Sequence, residues 1–560
     1  MAKKYLVLAA AAVGVALLAG IISACVLLIG GESDSPAAVP VFSTGGDMLD
    51  YLKQMGHIGE TDGLLATWFH RANNKSEMNK ALTTPVMILE ADITLEGYGT
   101  VNQSLVPIMA HPPDIYSDNT LDQWLDAVLS SDKGIKLDFK SLESVGPSLD
   151  LLNEKNNRTR INRPVWVNAD IVQGPNVPNF LPAINGTRFL EVVQEKFWDV
   201  TLSPGWKATY LPPILVGTYT RTMVEEMYEL VKDVPQKVTF PVHAMMVRSG
   251  WQHISWILSQ SSNYSLTLWQ GSIHPPLDDL LFVRDNSHPA RVYYDIYEPT
   301  LTQFKGAARS QNRVRRFYPG GDLMDFLHPA QHLEDSFLSG RPDSLAVSWF
   351  TVTDGSSLSA RLADEVGGML VLHVAPHGEK PRFPVVQRSG SQPLTLEEVL
   401  QTLGQHPKAP WGIYLRVHSY EVLEDSLDLL RSAYTTERLY RPVWISVEDP
   451  NSSNSTEDFV STVERLFPYV TLVLAEQTWP SVVPPAVSGL SQRVALHLDT
   501  AAVLGGETQR RSLTQLMDRY HFILEWKEES RAGDLAVLKA LRDQHSGRDD
   551  AKLYVMSEES

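Results

Sequence analysis

The amino-acid sequence predicts an α/β fold class, with two tandem (β/α)8 TIM-barrel-like domains after an N-terminal transmembrane helix. Three observations lead to this prediction. Short apolar runs alternate with longer amphipathic stretches, the second half of the chain repeats motifs of the first, and an uncharged apolar segment lies near the N-terminus. Alternating strand and helix patterns imply a parallel sheet, and eight strands in roughly 230 residues fit a barrel. An open doubly wound sheet fits the same alternation and remains the alternative.

The strand predictions for the first copy rest on short apolar runs bounded by polar residues. Patterns typical of amphipathic helices, such as TRFLEVVQEKFWDV at 187–200, separate several of these runs. The second copy gives the same number of runs, from LAVSWF through to FILEW. The eight predicted strands of the first copy are Leu64–Phe69, Val86–Ile93, Leu105–Ala110, Ile135–Phe139, Pro164–Asn168, Val200–Leu202, Val238–Ala244 and Ser265–Trp269.

Three motifs of the first half recur in the second half in the same order and at similar spacing, which indicates a tandem duplication. The predicted units are a first barrel at 45–304, a polar and basic linker at 305–319, a second barrel at 320–545 and a C-terminal tail at 546–560. The repeated pairs are GGDMLDYL (Gly45–Leu52) with GGDLMDFL (Gly320–Leu327), GIKLDFK (Gly134–Lys140) with GIYLRVH (Gly412–His418), and RPVWVNAD (Arg163–Asp170) with RPVWISVE (Arg441–Glu448).

The apolar segment at 5–31 contains no charged residue and is long enough to span a bilayer. Lys3 and Lys4 precede it, and Glu32 and Asp34 follow it. The positive-inside rule therefore predicts a signal anchor with a cytosolic tail at 1–4, a juxtamembrane linker at 32–44, and extracellular or lumenal domains. A cleaved signal peptide is the alternative, although its hydrophobic core is usually only roughly 7–15 residues long.

Composition excludes some partners and supports export. The formal net charge of -18 argues against nucleic-acid binding, which needs a basic surface. The single cysteine, Cys25, lies within the apolar segment, so no disulfide is expected in the domains. Acceptor sequences for N-glycosylation predict exposed positions in an exported protein. The predicted glycosylation sites are Asn74, Asn102, Asn157, Asn185, Asn263, Asn451 and Asn454.

Charged and polar residues interrupt the apolar runs of the first copy near their C-terminal ends. In a (β/α)8 barrel these ends meet at one mouth, where ligand chemistry takes place. Residues two apart on a strand point to the same side, so Glu90 and Asp92 form one pair, and Asp138 and Lys140 another. The residues at these ends are His70, Arg71, Glu90, Asp92, His111, Asp138, Lys140, Asn168 and Asp170.

Three carboxylates in one mouth indicate a bound cation. Glu90, Asp92 and Asp138 would repel one another at low dielectric unless a divalent ion lay between them. Oxygen ligands favour Mg2+ or Ca2+ over zinc. The two histidines can then act as general acid and base, while Arg71 and Lys140 hold an anion. This combination favours phosphodiester chemistry.

The motif order resembles that of a known superfamily. His-Arg after strand one, E-x-D at strand two, His after strand three and D-x-K at strand four resemble the phospholipase-C-like phosphodiesterases, in particular glycerophosphodiester phosphodiesterases, and also spider-venom sphingomyelinases D. The sequence departs from the pattern at Ala72, where the phosphodiesterases usually have Gly, and at Pro112, where they usually have Asp. A closer resemblance is to the two-domain, membrane-anchored type of the menorin family, through ATWFHRANN, ILEADITLEG, PIMAHPP, LDFK, RPVWVNADI and SPGWKATY.

These resemblances imply specific roles. His70 and His111 would be the catalytic pair, and Glu90, Asp92 and Asp138 would be the metal ligands. Arg71 and Lys140 would hold phosphate, and Lys207, Asn168 and Asp170 would line the pocket. The menorin resemblance also implies a role in multi-protein cell-surface complexes.

The second copy lacks the charged constellation. Alignment of the apolar runs places Thr351 at His70, His373 at Glu90, Ala375 at Asp92, Arg388 at His111, Arg416 at Asp138, His418 at Lys140 and Trp526 at Trp269. A repeat that keeps its apolar framework without the acids shows that folding does not require them. The second domain is therefore predicted to be non-catalytic.

Three functions follow as hypotheses. The first is an extracellular, Mg2+- or Ca2+-dependent phosphodiesterase that acts on a glycerophosphodiester or phospholipid-like substrate. The second is a non-enzymatic cell-surface interaction protein with protein partners. The third is a receptor for an anion or lipid headgroup without turnover.

Overall fold

The structure is a computed structural model of the chain, and it describes part of the sequence. The predicted anchor, Arg388, Asn451 and Asn454 lie outside the described residues. Within them, no helix combines the length and the apolar character that a membrane crossing requires. The described residues are 40–310, 312–328, 345, 347–363, 366–378, 382–387, 393–448, 456–476, 487, 489–499, 516–517, 520–526, 536–540 and 553–557.

The first domain contains a near-closed barrel of eight parallel strands with one antiparallel strand beside it. Along the sheet each barrel strand pairs with the next one in the chain, as in a (β/α)8 barrel. The strands are β1 (Trp68–Phe69), β2 (Ile88–Leu95), β3 (Pro107–Met109), β4 (Gly134–Phe139), β5 (Val165–Gln173), β6 (Thr201–Lys207), β7 (Val238–His243), β8 (Tyr264–Trp269) and β9 (Val292–Asp295).

Two of the strand predictions need correction. The run Leu105–Ala110 contributes β3, which pairs antiparallel with β2 and lies off the barrel path. The eighth barrel strand is instead β9, in the short segment VYYD, whose four residues give too brief a pattern to stand out from a loop. The count of eight is right, but its membership differs.

Close packing brings the two ends of the sheet together. The amide of Gly63, just before β1, donates to the carbonyl oxygen of Pro289 at 3.0 Å. A Cβ on Gly63 would lie 2.0 Å from the carbonyl oxygen of Val292 at the start of β9. Glycine is therefore required for this approach of the backbone to the last strand.

Helices between the strands bury apolar faces against the sheet. Thr120 and Gln123 form a capping box at the start of the helix that follows β3. That helix buries Leu121, Trp124 and Leu125 completely, and each such side chain contributes about 1.5–3 kcal/mol to folding. The helices of this domain are α1 (Met48–Gln54), α2 (Lys75–Thr83), α3 (Leu121–Leu129), α4 (Leu142–Thr159), α5 (Gly186–Lys196), α6 (Arg221–Val231), α7 (Trp251–Ser259), α8 (Leu277–Asp285) and α9 (Thr300–Ala308), with a 3-10 turn at Pro289–Arg291.

The segment predicted as a linker, 305–319, packs closely on the first domain. Helix α9 continues into it as far as Ala308. Arg313 pairs with Asp285 at 2.5 Å, and Arg316 with Asp278 at 2.6 Å. These ion pairs hold the basic residues of the segment on helix α8.

The second domain has a second α/β sheet, of ten strands in the part of the chain that the structure describes. Eight of these strands are parallel, and the other two, Phe383–Gln387 and Leu394–Thr395, are antiparallel. Its last strand lies within the segment predicted as a C-terminal tail, 546–560, and pairs with the strand His521–Glu525. The strands are β10 (Ser348–Thr351), β11 (Gly368–His377), β12 (Phe383–Gln387), β13 (Leu394–Thr395), β14 (Trp411–Val417), β15 (Val443–Val447), β16 (Thr471–Glu476), β17 (Val494–Asp499), β18 (His521–Glu525) and β19 (Leu553–Met556).

Helices accompany the second sheet as they do the first. Asp354 and Thr395 are the N-cap residues of two of these helices, each with a capping box. The helices are α10 (Leu323–Leu327), α11 (Gly355–Leu362), α12 (Leu396–Gln405), α13 (Leu423–Thr435) and α14 (Thr456–Leu466), with a 3-10 turn at Tyr420–Val422.

Each sheet contains a triad of aromatic residues at corresponding positions. In the first domain Trp166 contacts Trp68 and Tyr293, with ring centroids 5.6 and 4.8 Å away. In the second domain Trp444 contacts Trp349 and Tyr554 in the same way, at 5.9 and 5.1 Å. The duplication therefore extends to the packing between the first, fourth and last parallel strands.

Candidate functional site

The polar cluster lies at the C-terminal ends of the barrel strands. Asp92 on β2 stands opposite Asp138 on β4, which stands opposite Asn168 on β5. Glu90, Asp92 and Asp138 are buried, with 2, 3 and 8% of their surface exposed. Acids at these depths require hydrogen bonds and counter-charges.

Two buried carboxylates hold the ring of His70. Its Nδ1 lies 3.1 Å from Oε2 of Glu90 and 2.9 Å from Oδ2 of Asp295. Burial alone lowers the pKa of His70, but attraction to Glu90 and Asp295 outweighs it and raises the pKa well above the usual value. The imidazole is therefore stabilised in its protonated form.

Sequence reasoning missed Asp295. The residue ends β9, the strand that was not predicted, and a single acid after a short apolar segment gives no pattern of its own. Its side chain is buried, and it reaches His70 because the barrel brings the first and last strands together.

Lys136 supplies a counter-charge that the sequence analysis did not assign, since it expected a divalent ion between the acids. Its Nζ lies 3.0 Å from Oε1 of Glu90, and both side chains are almost fully buried. Burial lowers the pKa of Lys136, but Glu90 and Asp138 raise it overall, so the lysine is charged. The pKa of Glu90 is lowered: burial raises it, and Lys136 and His70 more than compensate. Lys136 lies two residues before Asp138 on β4, so the alternation of strand side chains could have identified it.

Lys140 bridges two of the predicted metal ligands. Its Nζ lies 3.0 Å from Oδ1 of Asp92 and 2.5 Å from Oδ2 of Asp138. Asn73 holds Asp92 from the other side, through Nδ2 to Oδ2 at 2.9 Å and through Oδ1 to the backbone amide, also at 2.9 Å. Burial raises the pKa of Asp92, but Lys140 and Asn73 lower it below its usual value.

Arg71 lies at the edge of this cluster. Its Nε is 3.4 Å from Oδ2 of Asp92, and 53% of its side chain is exposed. Its backbone φ of 63° is in the left-handed region, which non-glycine residues rarely adopt. This conformation belongs to the turn between β1 and α2, which carries the side chain at the mouth.

Hydrogen bonds continue the site across β5 and β6. Asn168 donates from Nδ2 to Oδ1 of Asp138 at 2.7 Å and accepts from Oγ of Ser203 at 2.7 Å. Burial and the charge of Asp138 raise the pKa of Asp170 to about 6. A Cβ at Gly205 would lie 2.4 Å from Oδ1 of Asp170, so glycine leaves room for this carboxyl group.

Two predicted residues do not join the cluster. His111 lies on the loop after β3, and its Nδ1 donates to the carbonyl oxygen of Pro112 at 2.6 Å. Lys207 donates from Nζ to the carbonyl oxygen of Pro182 at 3.0 Å. Among the residues that the structure describes, no hydrogen bond or ion pair links either side chain to the buried acids.

The carboxylate oxygens of the cluster are of the type that binds a hard cation, but Lys140 competes with such a cation for two of the carboxylates. Glu90, Asp92 and Asp138 offer only carboxylate oxygens, which suit Mg2+ or Ca2+. Within the described residues these three do not gather to within 4.8 Å of one another, whereas His70, Glu90 and Asp295 do, as do His373, His418 and Glu448 in the second domain. Lys140 already provides the positive charge shared by Asp92 and Asp138.

Strand register corrects the alignment of the two copies. Trp68 pairs with Ile88 and Trp349 with Met369, so Val371 corresponds to Glu90, and His373 to Asp92. The alignment by apolar runs, with His373 at Glu90 and Ala375 at Asp92, was two residues out of register. At the other end of the sheet, Glu525 rather than Trp526 matches Trp269, and Met556 matches Asp295. The second domain thus lacks both carboxylates that hold His70.

The predicted glycosylation positions that the structure describes are all exposed. Two of them also cap helices: Asn74 accepts from the amide of Glu77 at 2.8 Å, and Asn185 from that of Arg188 at 3.0 Å. In both, the side-chain oxygen makes the cap. The exposed positions are Asn74, Asn102, Asn157, Asn185 and Asn263.

Fold and site together define an α/β-barrel protein with a buried, ionised cluster at the C-terminal ends of its strands. Residues 62–301 and again residues 343–545 match the menorin N-terminal domain. The chain therefore belongs to the menorin family, and both halves carry the domain.

One curated relative and one solved structure complete the comparison. Human Protein FAM151B is 43% identical over 262 residues, which cover 47% of this chain and 93% of that protein. The endo-β-mannanase/endo-β-glucanase PbGH26A-GH5A of Prevotella bryantii is 9% identical, covering 92% of this chain and 96% of that one. Its TM-score of 0.29 is too low to support any conclusion about function.

Proposed function

We propose that the first domain is a metal-dependent phosphodiesterase with His70 as its proton donor. The observation that carries the proposal is the pair of hydrogen bonds from Nδ1 of His70 to Glu90 and Asp295. A histidine fixed through one nitrogen by carboxylates has a defined tautomer and orientation, so its other nitrogen can exchange a proton with a substrate. Its raised pKa favours the acid role at neutral pH.

Cations at the mouth would bind the phosphodiester. Arg71 is half exposed and Lys140 is 21% exposed, so both can reach an anion in the barrel opening. Guanidinium groups suit the oxygen pairs of a phosphate, and a lysine supplies a point charge. His111 on the neighbouring loop is the candidate for the second acid or base, while Asn168, Asp170 and Lys207 line the pocket.

A divalent cation completes the proposed site. Glu90, Asp92 and Asp138 would hold Mg2+ or Ca2+, and the ion would neutralise charge on the phosphoryl oxygens. Asn168 would orient Asp138, and Asn73 would orient Asp92, through the hydrogen bonds described above.

Exposed apolar residues around the mouth favour a lipid-borne substrate. Leu105 follows β2, Phe180 follows β5 and Ile214 follows β6, with 75, 79 and 77% of their surfaces exposed. Loops after barrel strands lie on the face that holds the site. Exposed apolar groups gathered around a charged pocket fit a phospholipid, whose headgroup is ionic and whose chains are apolar.

We propose the same membrane setting that the sequence predicts. The segment 5–31 would anchor the chain, and the domains would be extracellular or lumenal, with the second sheet closed into a barrel like the first. A non-enzymatic cell-surface role is the second candidate. The second domain favours it, because it keeps the aromatic triad without the acids of the site.

The test is product release from a defined panel. The full chain, in detergent, is incubated with lysophospholipids and glycerophosphodiesters, with Mg2+, Ca2+ or EDTA, and phosphorus NMR follows the products. We expect turnover that requires metal and is lost in His70→Gln. His57→Gln is the matched control, because His57 lies between α1 and β1, on the opposite face of the barrel, and pairs with Asp132.

Two outcomes would overturn the proposal. One is turnover that persists in His70→Gln. The other is the absence of product from every substrate while a cell-surface protein binds the wild-type chain and His70→Gln equally, which would establish the second candidate instead.

A further inference from the structure

The second domain holds a cluster of two histidines and one glutamate at the C-terminal ends of three adjacent strands. His373 lies on β11, His418 directly follows β14, and Glu448 directly follows β15. One donor atom from each residue lies within 4.8 Å of the other two. Nδ1 of His418 is 3.7 Å from Oε2 of Glu448.

We propose that this cluster binds Zn2+. Two imidazoles and one carboxylate form a common three-residue zinc set that leaves a fourth position open. With zinc–ligand bonds of about 2.0–2.1 Å, tetrahedral ligand atoms lie about 3.4 Å from one another. The observed 3.7 Å between His418 and Glu448 requires little adjustment.

A neighbouring arginine orients the carboxylate for this role. Nε of Arg416 donates to Oε1 of Glu448 at 2.5 Å, and Oε2 is the oxygen on the side of His418. The contact fixes the orientation of Glu448, as groups around metal ligands commonly do. The rings of His373 and His418 stack at 5.4 Å with 15° between their planes, and one nitrogen of each ring lies within 4.8 Å of a nitrogen of the other.

This cluster occupies the position in the second domain that corresponds to the candidate site of the first domain, but its residue types differ. His373 corresponds to Asp92 through the strand register, and His418 corresponds to Lys140: the amide of His418 donates to Val374, as that of Lys140 donates to Ile93. One carboxylate and one lysine have thus been replaced by imidazoles, which favour zinc over Mg2+ or Ca2+. The inference does not depend on the proposed phosphodiesterase.

Solvent can reach the cluster. The side chain of His418 is 41% exposed, and that of Glu448 is 18% exposed. A zinc ion held by three residues at such an opening would keep a water molecule or an external ligand in the fourth position. We therefore expect the cluster to bind a divalent metal such as zinc, with one coordination position open to exchange.

The experiment measures metal stoichiometry on the full chain. The protein is stripped with chelator, dialysed against excess Mg2+, and titrated with Zn2+ by calorimetry and with Co2+ by visible absorption. We expect His373→Ala and His418→Ala each to lose one equivalent of Zn2+ and the absorption of tetrahedral Co2+. Loss of a ligand should cost more than the 10–100-fold typical of groups around the metal.

His377→Ala is the matched control, since His377 lies on the same strand, packs against Phe383 and is not part of the cluster. Each variant is compared with wild type by thermal unfolding in EDTA, and the half-exposed His418 provides a substitution that the fold tolerates. Any zinc bound in the first domain contributes equally to wild type and to every variant, so it does not affect the difference in stoichiometry. Equal stoichiometry in wild type, His373→Ala and His418→Ala would overturn the proposal, as would binding of inorganic phosphate, but not zinc, that depends on these histidines.

Discussion

Nδ1 of His70 lies 2.9 Å from Oδ2 of Asp295, although 225 residues separate them in the chain. The contact exists because the last parallel strand of the first domain returns beside the first strand. When a sheet closes into a barrel, its first and last strands become neighbours, and residues far apart in the chain can meet there. Here that neighbourhood holds the histidine on which the proposed chemistry depends.

Replacement of Asp295 by asparagine tests this relationship. Asp295→Asn keeps the shape but removes a charge that favours protonated His70, so the pKa of His70 should fall and turnover should drop by about 10²–10⁴-fold. NMR titration of the imidazole gives the pKa, and the substrate panel gives the rate. A variant with normal turnover and an unchanged titration would show that Asp295 does not position His70.

The ion pair between Lys136 and Glu90 gives a stability prediction. Lys136→Met leaves Glu90 buried without its partner and should lower the free energy of unfolding by about 3–5 kcal/mol. The double variant Lys136→Met/Glu90→Gln should recover much of that loss, because no unpaired charge remains. Denaturant unfolding followed by tryptophan fluorescence measures both. Equal loss in the single and double variants would contradict the ion-pair explanation.

Sequence patterns predicted the fold through periodicity and repetition. Apolar runs located seven of the eight barrel strands, and motifs such as RPVWVNAD revealed the duplication. They failed at β9 and β3, because four residues carry little periodicity and a run does not show whether it pairs parallel or antiparallel. The two-residue error in the alignment of β2 with β11 has a related cause, because an alignment of apolar runs does not determine strand register.

Part of the site was equally predictable. The acids and cations at strand ends do converge, because parallel strands bring their C-terminal ends together. Their partners were not predictable: Lys140 could have bound an external anion, yet it bridges Asp92 and Asp138. His111 was predicted to lie at the barrel mouth because it follows an apolar run. That run forms β3, which lies outside the barrel, so His111 lies on a loop after it. Pairing depends on side-chain geometry, which spacing alone does not give.

The raised pKa of Asp170 predicts a dependence of stability on pH. Its carboxyl group titrates near 6 in the folded protein instead of at 3.8, so the folded state holds this proton to higher pH than the unfolded state. The contribution of Asp170 to stability should therefore fall as pH rises from about 4 to about 6, by on the order of 2–3 kcal/mol. Asp170→Asn removes this dependence.

The comparison uses denaturant unfolding in EDTA at pH 4.5 and pH 7. Relative to wild type, Asp170→Asn should gain stability between the two pH values, whereas Asp114→Asn, at an exposed position, should not. Parallel changes in wild type and Asp170→Asn would mean that the carboxyl group does not carry this shift.

Lys140 should compete with a divalent cation. Its ammonium lies between Asp92 and Asp138, and repulsion between like charges about 4 Å apart reaches ~4 kcal/mol at an effective dielectric constant of 20. Lys140→Met should therefore bind Mg2+ or Ca2+ at least about tenfold more tightly while losing turnover. Calorimetry on the wild type and the variant checks this, with Lys196→Met as control because Lys196 pairs with the exposed Asp150. Unchanged affinity would mean that the divalent cation does not bind beside Asp92 and Asp138.

The apolar residues at the mouth predict a difference between lipid-borne and soluble substrates. Leu105→Ser or Ile214→Ser should each lower kcat/KM on a vesicle-borne phosphodiester by about tenfold, since the loss of one inserted side chain costs about 1.5–3 kcal/mol at full burial. A soluble glycerophosphodiester should be cleaved at the wild-type rate. Trp198→Ser is the control, because Trp198 is 61% exposed but lies between α5 and β6, on the opposite face of the barrel. If soluble and vesicle-borne substrates lose activity equally, these residues act within the pocket, and the mouth does not bind a lipid surface.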